Sequence, residues 1–370
     1  KRNHAGRIST AHLSIFHIIF FFSTNSQLPT KFTMSATDKA TLPSTEQHYF
    51  SSYDHFGIHE EMLKDTSRTL LYRSAMFKNK HLLKDKVVLD VGCGTGILSM
   101  FAVKAGAKHV YSVDMSSIID KAKQIVSLNG FSDKITLIQG KLEDIQLPVD
   151  SVDIIVSEWM GYFLLYESML DTVLYARDKY LVPGGLILPD KCLMYIAGIE
   201  DGNYKNDKIH YWEDVYGFDY TPFIEIAMSE PLVDTVDNQS LITTPHKFFE
   251  FDINTVTKED LAFSREFSIK AIDADLCHAY IVWWDCDFPG DEKVTLHTGP
   301  MNHYTHWKQT VFYMDQVLDL KKGDVIEGTI ALKPNGHNPR DLDIELAWGV
   351  KTTGGDASRE LKGKYNYIMR

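Results

Sequence analysis

A chain of 370 residues, 44% hydrophobic and 24% charged, is long enough to bury two cores and is composed like an ordinary globular protein. Its 50 acidic against 38 basic residues leave a net charge of -12, which argues against a protein that tracks nucleic-acid phosphates and suits a cationic partner steered in by charge. The four cysteines, at 93, 192, 277 and 286, form no CxxC pair and no metal-like cluster, so free thiols in a reducing compartment and no metal site are expected.

Residues 1–33 contain no Asp or Glu, and their apolar run Ile15–Phe22, interrupted by His17, is too short to span a bilayer. A transit peptide and a signal-peptide core both fit this composition. The simpler reading is a translated leader, with Met34 as the start and a disordered tail to about Glu46. Order is expected from Tyr49-Phe50-Ser51-Ser52-Tyr53, followed by an amphipathic helix pair in which Met62, Leu63, Thr66, Leu70 and Phe77 recur at helical spacing. Arg68 in that pair reads either as a solvated helix charge or, given its place just upstream of the next unit, as part of a lid over a ligand.

That next unit runs from Val87 to Asp114. Val87, Val88, Leu89 and Val91 form an apolar strand, Gly92-Cys93-Gly94-Thr95-Gly96 a tight turn into a helix, and VYSVD a second strand closing on Asp114. An acidic residue about 20 positions beyond such a turn can accept hydrogen bonds from both hydroxyls of a ribose. The spacing is G-x-G-x-G with Asp90 just before it. A carboxylate there would repel a pyrophosphate and suit a cationic amino-acid group, so the site reads as one for S-adenosylmethionine rather than a dinucleotide; a merely connecting glycine turn is the bland alternative.

Ile135–Gln139 reads as a further strand, with Glu143 beyond its C-terminal end, where open α/β sheets bind ligands and where it can meet an adenine amino group. The strand Val152–Ser157 runs into Glu158-Trp159-Met160-Gly161-Tyr162-Phe163-Leu164-Leu165-Tyr166-Glu167, two carboxylates around an aromatic loop. Paired carboxylates at such a place raise each other's pKa unless a cation intervenes. A guanidinium, planar and permanently charged, is the natural cation; two unrelated surface glutamates and a glycosidase-like acid/base pair are the competing readings. A helix from Met169 to Tyr180 and a Pro-Gly turn in LVPGGLILP lead to another strand.

From about Pro189 the pattern changes to short strands of period two. Ile326, Ile330 and Leu332 share one face, as do Leu342, Ile344 and Leu346, which fits a β-barrel-like second domain. The segment Asp201–Pro222, rich in Tyr, Trp and Phe, looks helical and either packs on the barrel or forms an interface. GVKTTGGDAS reads as a variable loop before a final strand.

From about Gln47 to Asp343 the chain resembles the type I protein arginine N-methyltransferases. The matching segments are YFSSY at 49–53, HFGIHEEMLKD at 55–65, VLDVGCGTGILS at 88–99, SEWMGYFLLYESML at 157–170, LVPGGLILPD at 181–190 and YTHWKQTVFY at 304–313. The resemblance implies an α/β fold: a Rossmann-like S-adenosylmethionine-dependent methyltransferase domain with lid helices over 47–188, then a β-barrel-like domain over 189–370, with a helical dimerisation arm at about 201–222. It implies that His59, Met62 and Arg68 cover the cofactor, with Arg68 on its carboxylate, that Asp90 and Gly92 line its amino-acid end, and that Asp114 and Glu143 take ribose and adenine. It further implies that Glu158 and Glu167 clamp the substrate guanidinium. His306, which alone reads as a surface-turn histidine, would return to the site paired with Asp65. Met62 and Met169 shape the pocket, and methionine at the first goes with asymmetric dimethylation. The implied substrates are arginine- and glycine-rich RNA-binding proteins and histone tails, with a homodimer as the assembly, nucleus and cytoplasm as the location, and no direct contact with nucleic acid or membrane. Asp114 departs from the glutamate usual in relatives. A catalytically silent scaffold that keeps the fold and the arm is the alternative; intact Arg68, Asp114, Glu158, Glu167 and His306 speak against it.

Overall fold

The computed structural model describes residues 45–370; the leader and nearly all of the tail expected before residue 47 fall outside the described residues. Helices α1 (Thr45–Ser52), α2 (Phe56–Lys64) and α3 (Thr66–Lys78) and the single turn α4 (Lys80–Leu83) precede the first strand. Asp65 separates α2 from α3. Its non-helical backbone (ψ 93°) ends the first helix, and its carboxylate accepts the Arg68 N–H to cap the second. The break resets the helical phase, so the expected stripe is not a core face: Leu63 and Leu70 are exposed, while His59, Arg68, Tyr72, Ala75 and Met76 are buried.

Next come β1 (Val87–Val91), α5 (Ile97–Ala105), β2 (His109–Asp114), α6 (Ile119–Leu128), β3 (Ile135–Gln139), β4 (Val152–Ser157), α7 (Leu170–Tyr180) and β5 (Leu181–Leu188). The strands form a parallel sheet in the order β3-β2-β1-β4-β5. The chain winds outward from β1 to β3 and then crosses to β4. The carboxyl ends of β1 and β4 therefore flank the switch point where such sheets open a crevice. The turn expected in LVPGGLILP is instead part of β5, with a register shift opposite Val152 and Ile154.

The second half contains β6 (Lys191–Ile199), α8 (Gly202–Lys208), α9 (Pro222–Ser229), β7 (Leu232–Asp234), β8 (His246–Asp252), β9 (Phe263–Lys270), β10 (Asp275–Phe288), β11 (Val294–His297), β12 (Gln309–Leu320), β13 (Val325–Pro334), β14 (Leu342–Lys351) and β15 (Lys362–Met369). They pair as two antiparallel sheets, β7-β12-β10-β6-β8 with β11 on β10, and β15-β14-β13-β9. Ile326, Ile330 and Leu332 on β13 and Leu342, Ile344 and Leu346 on β14 are all buried, as the alternation requires, with Ile330 opposite Leu346 and Leu332 opposite Ile344. Segment 201–222 is helical only in its first half; beyond the 3-10 turn His210–Glu213 it is a loop closed by a Val215–Phe218 bridge. The GVK of the expected variable loop belongs to β14, which leaves 352–361 as the connection to β15.

One apolar core runs through both halves. Tyr72 meets Phe288 edge-on with ring centroids 4.8 Å apart, and Phe163 meets Phe312 at 5.5 Å. All four cysteines are buried free thiols, Cys192 and Cys286 facing each other across β6 and β10 with sulfurs 3.1 Å apart.

Candidate active site

A cavity of about 370 Å³ opens at the carboxyl ends of β1 and β4, with α1 and α2 above it. His59, Met62, Arg68, Gly92, Asp114, Glu143, Glu158, Glu167 and His306 all line it. Gly92 and Cys93 bend the chain off β1 by donating their N–H groups to Val113 O at 2.9 and 3.0 Å. Gly92 has φ +72°, and a Cβ there would lie 2.2 Å from Met169 Cε, so the methionine packs directly on the turn. At the end of β2, Asp114 Oδ2 accepts the Gly94 N–H at 2.7 Å and Oδ1 accepts the Ser116 N–H and hydroxyl at 2.8 and 2.6 Å. The short side chain is thereby held against the glycine turn, with lone pairs left over for hydroxyl donors. Glu143 Oε1 accepts the Thr172 hydroxyl at 2.7 Å, while its Oε2 is buried with no partner. His59 is buried, hydrogen-bonded through Nε2 with Tyr53 O at 2.8 Å, and its ring packs on Gly94.

Beyond β4 the chain forms the two-glutamate loop. Arg68 donates from Nε and Nη2 to Glu158 Oε2 at 2.9 and 2.7 Å and from Nη1 to Met62 O at 3.1 Å, in a pair whose side chains are each 7% exposed. Arg68, which the resemblance also assigns to the cofactor carboxylate, is here paired with Glu158, and the two buried opposite charges satisfy each other's desolvation. Glu167 Oε2 accepts the Tyr53 hydroxyl at 2.7 Å. Burial raises the Glu167 carboxyl above its usual range, opposed by the Tyr53 hydrogen bond and by the charge of Arg340. Asp65 Oδ2 accepts both the backbone N–H and the ring Nδ1 of His306 at 2.8 Å. Burial raises the Asp65 carboxyl, but those bonds and the Arg68 N–H outweigh it and the net shift is downward. Trp307 anchors the same turn, donating from its indole to Met160 O at 2.7 Å.

Asp90 is the exception among the expected site residues, because it does not line the cavity. Its side chain is fully buried beneath the floor, where Oδ2 accepts the Ser99 hydroxyl at 2.5 Å and Oδ1 has no partner. The cause is strand alternation: Val91 lines the cavity, and Asp90, one residue earlier on β1, points to the other side at Ser99 of α5. Burial pushes its carboxyl up to about 7 against the Ser99 hydrogen bond. A raised folded-state pKa stabilises the fold below the ordinary carboxylate range and loses that contribution as pH rises toward 7. Asp90→Asn is therefore expected to raise Tm over wild type at about pH 8, with the gain shrinking toward about pH 4; thermal unfolding at the two pH values checks it.

Among the lining residues that carried no assigned role in the sequence, Tyr49, Tyr53, Thr172 and Arg340 act on the carboxylates of the site. Tyr49 and Tyr53 sit in a quoted segment, Thr172 stands on the helix behind Glu143, and Arg340 arrives from the β13–β14 connection. Only the pattern around YFSSY could have flagged the first two; nothing in the sequence near Arg340 points to this cavity.

A parallel sheet with an acidic residue closing β2 and a glycine turn after β1 is an arrangement that binds adenosine-type cofactors, and a model of the methyltransferase domain matches residues 88–185, which makes the chain a methyltransferase of that type. A model of the arginine methyltransferase oligomerization subdomain matches residues 190–353. The chain is 58% identical over 339 residues to protein arginine N-methyltransferase 1 of Saccharomyces cerevisiae, covering 90% of this chain and 97% of that one. It is likewise 58% identical to the enzyme of that name from Schizosaccharomyces pombe, over 82% of this chain and 90% of the other. Among solved structures, a Trypanosoma brucei PRMT1 enzyme-prozyme heterotetrameric complex with AdoHcy superposes with a TM-score of 0.82 at 48% identity, covering 86% of this chain and all of that one. The chain belongs to the protein arginine methyltransferase family.

Proposed function

We propose that this chain transfers methyl groups from S-adenosylmethionine to the terminal nitrogens of arginine, giving monomethylarginine and asymmetric dimethylarginine. The observation that carries this reading is the two-glutamate loop beside the cavity, where buried Glu158 already holds a guanidinium, that of Arg68, through two N–H donors. A substrate arginine offers the same planar fork.

The cavity fits the cofactor. The buried, unpartnered Glu143 Oε2 is an acceptor suited to an adenine amino group, Asp114 to the ribose hydroxyls, and the backbone at Gly92 to the amino-acid end. His59 and Met62 would cover it from α2, and Arg68, which lines the same cavity, would meet its carboxylate as the family resemblance implies. The cofactor, when bound, supplies an electrophilic methyl on a sulfonium. Glu158 and Glu167 hold the guanidinium so that positive charge is drawn to one side and a terminal nitrogen keeps electron density for in-line attack. Rate then comes from positioning and electrostatics. The His306–Asp65 pair offers a route for the proton that the methylated nitrogen sheds. Met62 and Met169, which confine the pocket, support the asymmetric product. Glu143→Ala is expected to raise the Kd for S-adenosylmethionine about tenfold, the loss of one charge-assisted hydrogen bond, as titration calorimetry would read.

Arginine- and glycine-rich segments of RNA-binding proteins and histone tails suit the net charge of -12. The loop and α9 beyond α8 expose Tyr216, Phe218, Phe223 and Ile226, an apolar surface that supports a homodimer built through this arm. Nucleus and cytoplasm are the proposed location, and no helix among the described residues is long and apolar enough to cross a membrane. The test is transfer of labelled methyl to a glycine- and arginine-rich peptide: label on arginine, and none on the same peptide with lysine for arginine, is expected, whereas label on lysine would reject the guanidinium reading.

A further inference from the structure

We infer that Arg340, on the connection between β13 and β14, is a positioning residue for methyl transfer: it fixes Glu167 in its working geometry and latches α1 over the same site. This rests on reading Glu167 as half of the guanidinium clamp.

Glu167 lies in a stretch where Phe163, Leu164, Glu167 and Ser168 all take positive φ, between 51° and 75°. Such backbone persists only where its surroundings over-determine it. Arg340 supplies that determination. Its Nη1 donates to Glu167 O at 2.6 Å, and its own carbonyl accepts the Glu167 N–H at 2.9 Å, so both backbone polar groups of the glutamate are held by one residue 173 positions away. Next to it, Ser168 donates its hydroxyl to Pro339 O at 2.7 Å. The Arg340 loop is itself braced: Asn338 Oδ1 accepts the Arg340 N–H at 3.3 Å, and Asn338 Nδ2 donates to Asp341 Oδ1 at 2.8 Å.

The guanidinium also touches the lid. Its Cζ stands 3.8 Å from the centroid of the Tyr49 ring and 5.4 Å from that of Phe50, both on α1, a cation over aromatic faces. From the end of α1, Tyr53 reaches back to the Glu167 carboxylate. Lid, clamp and barrel thus meet at one side chain. Because Arg340 donates to a carbonyl, its charge acts on the Glu167 carboxylate from alongside, where it opposes the upward push of burial.

The test compares Arg340→Lys, Arg340→Met and Glu167→Gln by kcat, KM for a glycine- and arginine-rich peptide, pH profile and Tm. The groups facing Glu167 are Tyr49 and Tyr53 from the α1 segment, Glu158 with its partner Arg68, Tyr162 and Tyr166 of its own loop, and Arg340. The Met variant removes the Arg340 charge together with its hydrogen bond to Glu167 O and keeps an unbranched side-chain stem. Glu167 must be ionised to bind a guanidinium, and losing the nearby cation raises its pKa. Arg340→Met is therefore expected to lose about tenfold in kcat/KM, with the acidic limb of the profile moved to higher pH. Arg340→Lys is expected to return that limb to its wild-type position while recovering only part of the rate, since an ammonium lacks the planar stack on Tyr49. Equal behaviour of Lys and Met, or losses that only follow Tm, would reduce Arg340 to packing and overturn the inference. Glu167→Gln inactive beside a wild-type Arg340→Met would overturn this role alone; Glu167→Gln at the wild-type rate would overturn the clamp and this role with it.

Discussion

Glu158→Gln is expected to lower kcat/KM by about 10²- to 10³-fold, the cost of removing one preorganised electrostatic group from a transition state, while cofactor affinity changes little. Glu158 is nearly enclosed, and one of its oxygens takes both N–H donors from Arg68. A glutamine of the same shape carries no charge to polarise a substrate guanidinium. It also leaves the Arg68 cation buried without its anion, and removing one partner of a buried pair costs about 3–5 kcal/mol. Loss of stability is therefore expected beside loss of rate. Steady-state kinetics on the folded fraction, with unfolding curves run in parallel, separates the two. Wild-type kcat/KM in a folded Glu158→Gln protein would remove this residue from the chemistry.

Gly161→Ala is expected to destabilise the protein by about 3 kcal/mol, near the top of the overpacking range, and to lower activity by about 10²-fold. A Cβ on Gly161 would sit 2.1 Å from Tyr166 O and 2.9 Å from Tyr166 C, which are backbone atoms that cannot rotate away. Gly161 also donates its N–H to Leu164 O at 2.9 Å, closing the loop on itself between the two glutamates. Relief of the clash must move the segment that carries Tyr166 and Glu167, or the one that carries Glu158 and Met160, and Met160 O is where the Trp307 indole anchors His306. One methyl group thus reaches all three expected catalytic side chains. Denaturant unfolding gives the stability change and peptide methylation the rate; an alanine variant with wild-type values in both would show that the loop has room the structure denies it.

The cofactor half was legible because its signals are local. Short runs dominated by Val, Ile and Leu gave β1, β3 and β4 with their observed ends, and their positions in the βα units put Asp114 at the end of β2 and Glu143 just beyond β3, both on the ligand side. Asp90 was misplaced for a reason internal to the same strand: proximity to the glycine turn suggested the cavity, but alternation turns the side chain under it. The stripe through Leu63 and Leu70 failed because Asp65 breaks the helix and restarts its phase, which a single period across 56–78 cannot register. Arg68 on Glu158 and Arg340 on Glu167 are pairings across 90 and 173 residues, and long-range side-chain partners leave no mark in local periodicity. The return of His306 to Asp65, across 241 residues, was found only through the resemblance carried by YTHWKQTVFY.

The central claim, arginine methylation to the asymmetric product, is tested most directly by incubating the protein with S-adenosylmethionine and a glycine- and arginine-rich peptide, hydrolysing the peptide, and separating the methylated amino acids. Monomethylarginine followed by asymmetric dimethylarginine, both lost in Glu158→Gln, is the expected result. Symmetric dimethylarginine would contradict the pocket shape assigned to Met62 and Met169, and a peptide whose arginines stay unmethylated while the cofactor binds would contradict the account as a whole.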